Sequence, residues 1–262
     1  MTATALPDAI FTDPRREPLR LRPLKAFGHF RKLVADKEDT EQVFHIFESL
    51  PRKGFLTDAR IFCDSAIGRS RMISEPYLPA ILDDHDSLEK LPAGSVGRAY
   101  LDFMRREQLC AAGLVEESAK MRRGRPQFDD QIQWYSNRLR DTHDLLHILT
   151  GYGRDPLGEA SVLAFTYGQT GNYGNAFIAL LAGRQIRKAS GGKAPVFASL
   201  RQGWRHGKAA PNLIDEDIRS LLAEPIEAAR ARLNIGQPSW YRTCHDVFVE
   251  NRLDPHTALA TA

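Results

Sequence analysis

The chain has 262 residues, 42% of them hydrophobic, and a formal net charge of +3. That length and apolar content suit one large domain or two small ones with a real core, and the near-neutral balance gives no charge signature of a nucleic-acid partner. Three cysteines without C-x-x-C spacing argue against a disulfide scaffold and for a reducing compartment, and no apolar run approaches the ~18 residues of a membrane span. The N-terminus has no apolar signal-peptide core, and it carries Asp8, Asp13 and Glu17, which a mitochondrial presequence avoids. The expectation is a cytoplasmic, bacterial protein.

In chain order, residues 1–14 read as a flexible lead-in. Residues 15–32 are basic, with Arg15, Arg16, Arg20, Arg22, Lys25, Arg31 and Lys32 interleaved with Leu19, Leu21, Leu24, Phe27 and Phe30. This segment reads either as a solvated arm packing a few apolar residues on the core or as a contact to an anionic membrane surface. Thr40 is placed to cap a helix through Leu50, with Val43, Phe44 and Phe47 on one face. Another helix is expected over 56–68. Ser95 is a plausible N-cap for a helix carrying Tyr100, Phe103 and Met104. Asp129 or Asp130 starts the next, which carries Ile132, Tyr135 and Leu139 and runs on to the histidine motif below, with Gly151 or Gly153 as its stop. Asp155-Pro156 has the pattern of a helix start, a capping carboxylate followed by proline. Further helices are expected over 175–189, 195–206 and 225–234, the last opened by Pro225. No convincing strand set, repeat or phosphate-binding glycine loop is present, and Gly168, Gly171 and Gly174 fit turns. The tail from Gln237, with Trp240, Tyr241, Phe248 and Val249, is a candidate for an extra docked element. The fold class is all-α, a single-domain helical bundle.

The chemistry lies in His143-Asp-Leu-Leu-His147, followed by eleven residues and then Glu159. Histidines four apart on a helix share a face, and Asp144 sits about 100° round from His143 and about 60° from His147. Glu159 falls in the first turn of the helix opened at Asp155. The intervening turn is short enough to make the two helices antiparallel neighbours with a metal site between them. Two imidazoles and two carboxylates suit zinc, and also manganese or iron. A lone histidine is usually a satisfied polar residue, and the alternative for His143 is a helix-face histidine bonded to Asp144 or Glu159. The motif is not the zincin H-E-x-x-H, so Asp144 either binds the ion, which is favoured, or orients an imidazole. His29, His45, His85, His206, His245 and His256 share no ligand spacing and read as surface or core residues.

The H-D-x-x-H-x11-E pattern resembles that of the coenzyme Q (ubiquinone) biosynthesis family, the fourth Coq protein of eukaryotes and its bacterial relatives. Flanking blocks extend the resemblance over roughly 45–236: the Leu91-Pro-Ala-Gly-Ser-Val segment, Gln169-Thr-Gly, Gly203-Trp-Arg-His-Gly with Ala210-Pro-Asn-Leu, and Ala229-Arg-Ala-Arg-Leu-Asn-Ile. The segments are then a basic N-terminal arm over 1–34, the family's helical metal-binding domain over 35–236 and a C-terminal extension over 237–262. The resemblance implies an all-helical fold and a zinc-type site. It also implies metal-dependent, oxidative loss of the C1 carboxylate of a polyprenylated 4-hydroxybenzoate, that is, a decarboxylase (lyase). His143, Asp144, His147 and Glu159 are the expected ligands and catalytic groups. Implied partners are the polyprenylated aromatic substrate, other ubiquinone-biosynthesis enzymes, a second copy in a homodimer and the membrane surface on the inner face of the cell membrane, with no nucleic acid. Val162, Phe165, Phe177, Leu180 and Leu181 are candidates to line an apolar pocket for the prenyl tail, although each taken singly reads first as ordinary core packing. Tyr167 and Arg184 are possible polar contacts. Two other readings stand beside the enzyme: a non-catalytic polyprenyl-lipid scaffold with a structural metal, and a metal-dependent phosphohydrolase, for which the further histidines and distant aspartate are missing.

Overall fold

The structure, a computed structural model, describes residues 6–36 and 39–256. The first five residues of the expected arm and the last six of the expected extension lie outside the described residues. Among the described residues the regular structure is α-helix with two short 3-10 turns, and there is no strand, in agreement with the all-α expectation.

In chain order, α1 (Pro23–Ala35) carries a proline in its first turn, and α2 (Glu41–Ser49) follows. Thr40 precedes α2 but is itself helical (φ −62°, ψ −19°), so its side chain does not cap. The single helix expected over 56–68 is two, α3 (Phe55–Asp64) and α4 (Ala66–Ser74). Ser65 swings to extended backbone between them, and its hydroxyl accepts from the Gly68 N–H at 2.9 Å, which ends one helix and caps the next. Two short helices follow, α5 (Pro79–Leu82) and α6 (His85–Glu89). α7 (Val96–Glu107) begins at the expected cap, where Ser95 Oγ accepts from Arg98 N–H at 3.2 Å. After α8 (Ala111–Met121), α9 (Gln131–Asp141) starts at Asp130, whose carboxylate accepts from Gln133 N–H at 2.8 Å. The expected continuous helix into the histidine motif breaks at Thr142 and resumes as α10 (His143–Thr150). Thr142 Oγ1 donates back to the Arg138 carbonyl at 3.0 Å, the i−4 bond by which threonine bends helices. The remaining helices are α11 (Pro156–Thr170), α12 (Tyr173–Ala189), α13 (Val196–Ala209), α14 (Ile218–Ala223), α15 (Ile226–Arg232) and α16 (Ser239–Glu250). Pro156 stands in the first turn of α11 and Pro225 just before α15, as expected. The tail from Gln237 is a docked helix.

The contacts group the chain into two compact units. One comprises the described residues up to Leu19 with Lys53–Leu145 and Asn212–Ile226. Its apolar centre is Phe62, Cys63, Met72, Trp134, Tyr135 and Ile214. Arg138 of α9 is buried there. Its Nη1 pairs with Glu75 Oε2 at 2.8 Å, while Nε and Nη2 donate to the carbonyls of Ile214 and Glu216 at 2.9 and 2.7 Å. Glu75 Oε1 accepts from Ile218 N–H at 2.7 Å. Burial lowers the Arg138 pKa from its usual value, and Glu75 opposes that shift. Removing either partner strands a buried charge, at a cost of about 3–5 kcal/mol. Residues 6–16 are docked and do not form a loose lead-in. Ile10 C=O accepts from Gln131 N–H at 3.1 Å, and Asp130 takes both the Asp13 N–H at 2.7 Å and the Arg16 guanidinium at 2.6 Å.

The other unit comprises Arg20–Arg52, Leu146–Pro211 and the described residues from Glu227 onward. α1 buries Ala26 and Phe30 against Ile46, Leu50 and Ile178, so most of the basic segment is a packed helix. Leu21, Leu24 and Phe27 remain on its outside with Arg20, Arg22 and Lys25, and Leu24 is 88% exposed. α11 and α13 meet backbone to backbone. A Cβ at Gly207 would sit 2.0 Å from the Phe165 carbonyl oxygen, one at Gly203 2.6 Å from that of Ser161, and one at Gly168 2.4 Å from that of Trp204. Gly168 is therefore a packing glycine within a helix and not the turn residue expected, whereas Gly171 (φ +64°) does end α11 in the left-handed region.

Gly207→Ala should destabilise by about 3 kcal/mol, because the obstacle is a fixed carbonyl. Gly28→Ala on the open side of α1, where nothing lies within 4 Å of the new Cβ, should be neutral or stabilising by up to about 1 kcal/mol. Urea melts of the two variants check the pair, and equal midpoints would refute the close seam. Burial pushes the thiols of Cys63 and Cys244 up to about 12, and only Cys110 is exposed. Ellman's reagent at pH 8 should therefore titrate one thiol per folded chain and three in urea; fast reaction of more than one in the folded protein would contradict that burial.

Candidate metal centre

α10 brings His143, Asp144 and His147 together as the spacing requires. One donor atom from each lies within 4.8 Å of the others. His147 and Asp144 are buried, at 3% and 7% exposure, and His143 is half-buried. Two donors on one zinc ion at ~2.1 Å are at most ~4.2 Å apart, so a small rotamer adjustment closes the set.

His147 is the best-determined member. Its Nδ1 lies 3.0 Å from the Tyr152 carbonyl oxygen. A carbonyl only accepts, so Nδ1 carries the hydrogen and Nε2 of the neutral ring keeps its lone pair. Nε2 lies 3.5 Å from Glu159 Oε2. A lone pair facing a carboxylate oxygen at that range calls for a positive species between or on them, either a proton on the imidazole or a metal ion. The backbone carbonyl on the far nitrogen is the usual orienting partner of a metal-bound histidine. The donor types and this orientation fit a divalent cation. Glu159, whose side chain is 34% exposed, also has its Oε1 3.6 Å from Arg154 Nε.

The turn between α10 and α11 places these groups. Gly151, at φ +73°, ends α10, and its N–H donates to the His147 carbonyl at 2.9 Å. Arg230 of α15 donates to the last carbonyls of α10, those of Ile148 and Leu149, both at 2.9 Å. Its positive charge complements the helix C-terminus. Asp155 caps α11, accepting from Leu157 and Gly158 N–H at 3.1 and 3.2 Å. The same carboxylate accepts from the Tyr241 hydroxyl, and His245 Nε2 lies 3.3 Å from its Oδ1. Burial alone raises the Asp155 pKa; the nearby His245 imidazole and the Tyr241 hydrogen bond outweigh it and hold the carboxyl below its usual value.

Sequence reasoning missed Tyr241 and His245 at this turn, because nothing in their spacing ties them to residues about ninety positions earlier. It also passed over Tyr100 as a helix-face aromatic. The Tyr100 hydroxyl is buried without a hydrogen-bond partner. Its pKa is raised by burial first and then by the nearby carboxylates of Asp144, Asp83 and Asp141. Of the expected pocket residues, Val162 and Phe165 on α11 are wholly buried. Phe177 and Leu181 on α12 are half-buried against the cluster around Phe30, with the Phe177 ring 5.9 Å from that of Phe30, and Leu180 is 56% exposed. Tyr167 is half-buried and Arg184 exposed.

Fold and site together define an all-helical protein with a histidine–carboxylate donor group on one helix and a further carboxylate on the next. The family described as Coenzyme Q (ubiquinone) biosynthesis protein Coq4 matches residues 59–239, and the chain belongs to that family. Among its relatives, the ubiquinone biosynthesis protein COQ4 homolog, mitochondrial, of Mus musculus is 30% identical over 59% of this chain and 55% of its own. The corresponding protein of Homo sapiens is 34% identical over 40% of this chain and 37% of its own. The chain thus spans about half the length, or less, of these curated relatives. A crystal structure of a putative ubiquinone biosynthesis protein from Nostoc punctiforme superposes with a TM-score of 0.59 at 21% identity, covering 83% of this chain and all of that one, so the fold is shared.

Nitrogen-15 spectra of the metal-free protein at a pH where His147 is neutral should show it as the Nδ1–H tautomer. An Nε2–H signature would break the orienting role given to the Tyr152 carbonyl.

Proposed function

We propose that the chain catalyses metal-dependent removal of the C1 carboxylate from a polyprenylated 4-hydroxybenzoate in ubiquinone biosynthesis. The observation that carries this reading is the His147 lone pair, fixed from behind by the Tyr152 carbonyl and aimed at Glu159, on a residue whose donor atom groups with those of His143 and Asp144. Membership of the Coq4 family supplies the pathway. These four residues are the ones to hold the ion, zinc by preference, with manganese or iron also suited to the donors. A bound divalent cation supplies Lewis-acid charge for the substrate's carboxylate or phenolate.

The residues then have separate tasks. His143, Asp144 and His147 fix the reacting group to one helix face. Arg154, beside Glu159 Oε1, adds positive charge at the open edge of the site. The ring's C1–carboxylate bond breaks, carbon dioxide leaves, and C1 takes a proton, with the para phenol tautomerised to a ketone that accepts the electron pair. Glu159, the more open of the two carboxylates, is placed to carry that proton. Oxygen insertion at C1, which an oxidative version requires, is left to a separate oxidant. The prenyl tail needs apolar walls, for which Val162, Phe165, Phe177, Leu180 and Leu181 are the proposed residues; all but the exposed Leu180 now pack on the core and would have to be displaced.

Among the described residues no helix is long and apolar enough to cross a membrane. We place the chain at the cytoplasmic face of the cell membrane, bound peripherally. Supporting this, Leu21, Leu24 and Phe27 stand exposed beside Arg20, Arg22 and Lys25, and each basic residue near an anionic surface adds roughly 1 kcal/mol. A homodimer working with other ubiquinone-biosynthesis enzymes completes the proposal.

The test is carbon dioxide release from carboxyl-labelled prenyl-hydroxybenzoate by metal-loaded protein, with His147→Ala beside it. Release by the parent and none by the folded variant is expected. No release from either, across zinc, manganese and iron, would leave the polyprenyl-lipid scaffold as the better reading. In that case Asp144→Ala should cost stability, since a structural site is closed by its protein ligands.

A further inference from the structure

α16 reaches back to the turn between the two ligand-bearing segments. Tyr241 Oη accepts from the Gly153 N–H at 3.1 Å and donates to Asp155. Its ring meets that of Tyr152 edge to face, centroids 5.4 Å apart. His245, one turn along the same face, stands 3.3 Å from the other oxygen of Asp155. A Cβ on Gly153 would lie 2.7 Å from the Tyr241 hydroxyl, and one on Gly151 would lie 3.4 Å from Pro238, the residue before α16. The start of the C-terminal helix therefore touches Gly151, Tyr152, Gly153 and Asp155. Two of these act directly on the donor group. The Tyr152 carbonyl holds His147 Nδ1, and the Asp155 carbonyl accepts from the Glu159 N–H at 2.9 Å, in the first turn of α11.

We propose that Tyr241 and His245 are positioning residues of the metal site. By holding Asp155 and Gly153 they fix the turn whose carbonyls orient His147 and Glu159. The inference rests on the metal reading above, and it assigns a role to a helix that lies almost entirely beyond the family match, which ends at residue 239. A hydroxyl that bridges a backbone N–H and a carboxylate sets the turn's position more tightly than ring packing does. Its removal should therefore shift the site's geometry before it unfolds the helix.

The experiment uses the full chain with Co2+ as a coloured probe and Zn2+ against a competing chelator. Tyr241→Phe keeps the ring on Tyr152 and deletes only the hydroxyl. His245→Ala deletes the second contact, and His245→Gln retains a donor. Tyr241→Phe and His245→Ala should each weaken Co2+ and Zn2+ by roughly 10–100-fold, the range for partners that orient ligands. They should also alter the Co2+ visible spectrum, with rescue in His245→Gln. A merely structural helix would instead lower the melting temperature and leave affinity and spectrum as in the parent, and that result overturns the proposal. Should Tyr241→Phe fail to fold, the two His245 variants decide the same question. Failure of the unaltered chain to bind either ion defeats the metal reading itself, and the proposal with it.

Discussion

The hydrogen bond between His147 Nδ1 and the Tyr152 carbonyl is a constraint on which the whole donor group depends. It makes a side chain of α10 and the backbone of the following turn one unit, and it decides which imidazole nitrogen is available for chemistry. Without it the ring could rotate or change tautomer, and the 3.5 Å approach to Glu159 would have no defined chemical meaning. The turn has its own restraints: a left-handed glycine at one end, an aspartate cap with a proline behind it at the other, and arginine donors on the carbonyls where α10 stops. The glycine and the cap act locally, whereas the arginine reaches the turn from α15, some eighty residues further along the chain.

Much of this was legible in the sequence where the signal was local. The Asp130, Ser95 and Asp155-Pro156 starts were readable because a cap is a short-range hydrogen bond to a neighbouring N–H. The grouping of His143, Asp144 and His147 followed from helical periodicity alone. Breaks inside helices were harder to read. Ser65 and Thr142 are compatible with a continuing helix, and only their back-bonds to earlier carbonyls show why it stops. The basic stretch reads as an arm that packs a few apolar residues on the core, and Phe30, with Ala26, is buried there; its helical form is what the charges hid.

What stayed illegible was long-range. Asp155 reads as a helix cap and nothing more until Tyr241 and His245 are seen on its carboxylate. Tyr100 reads as a core aromatic, and only the fold places its unpartnered hydroxyl among Asp144, Asp141 and Asp83. Arg138 and Glu75 are sixty-three positions apart, and no periodicity relates them. The spacing supplied the donor pattern and the resemblance the pathway, and the three-dimensional arrangement added the contacts around the turn between α10 and α11.

The glycine seam between α11 and α13 bears on how Glu159 can move. With Gly168, Gly203 and Gly207 set against backbone carbonyls, there are no side chains at those three contacts to yield, and sliding one helix along the other would drive backbone into backbone. α11 is therefore a stiff base, and the freedom left to Glu159 is torsional: its own three χ angles, swinging from a Cα that stays put. A carboxylate mounted in this way can change partners on the fast timescale of a side-chain flip, with little reorganisation of the protein around it, and what it gives up on settling is its own rotamer entropy.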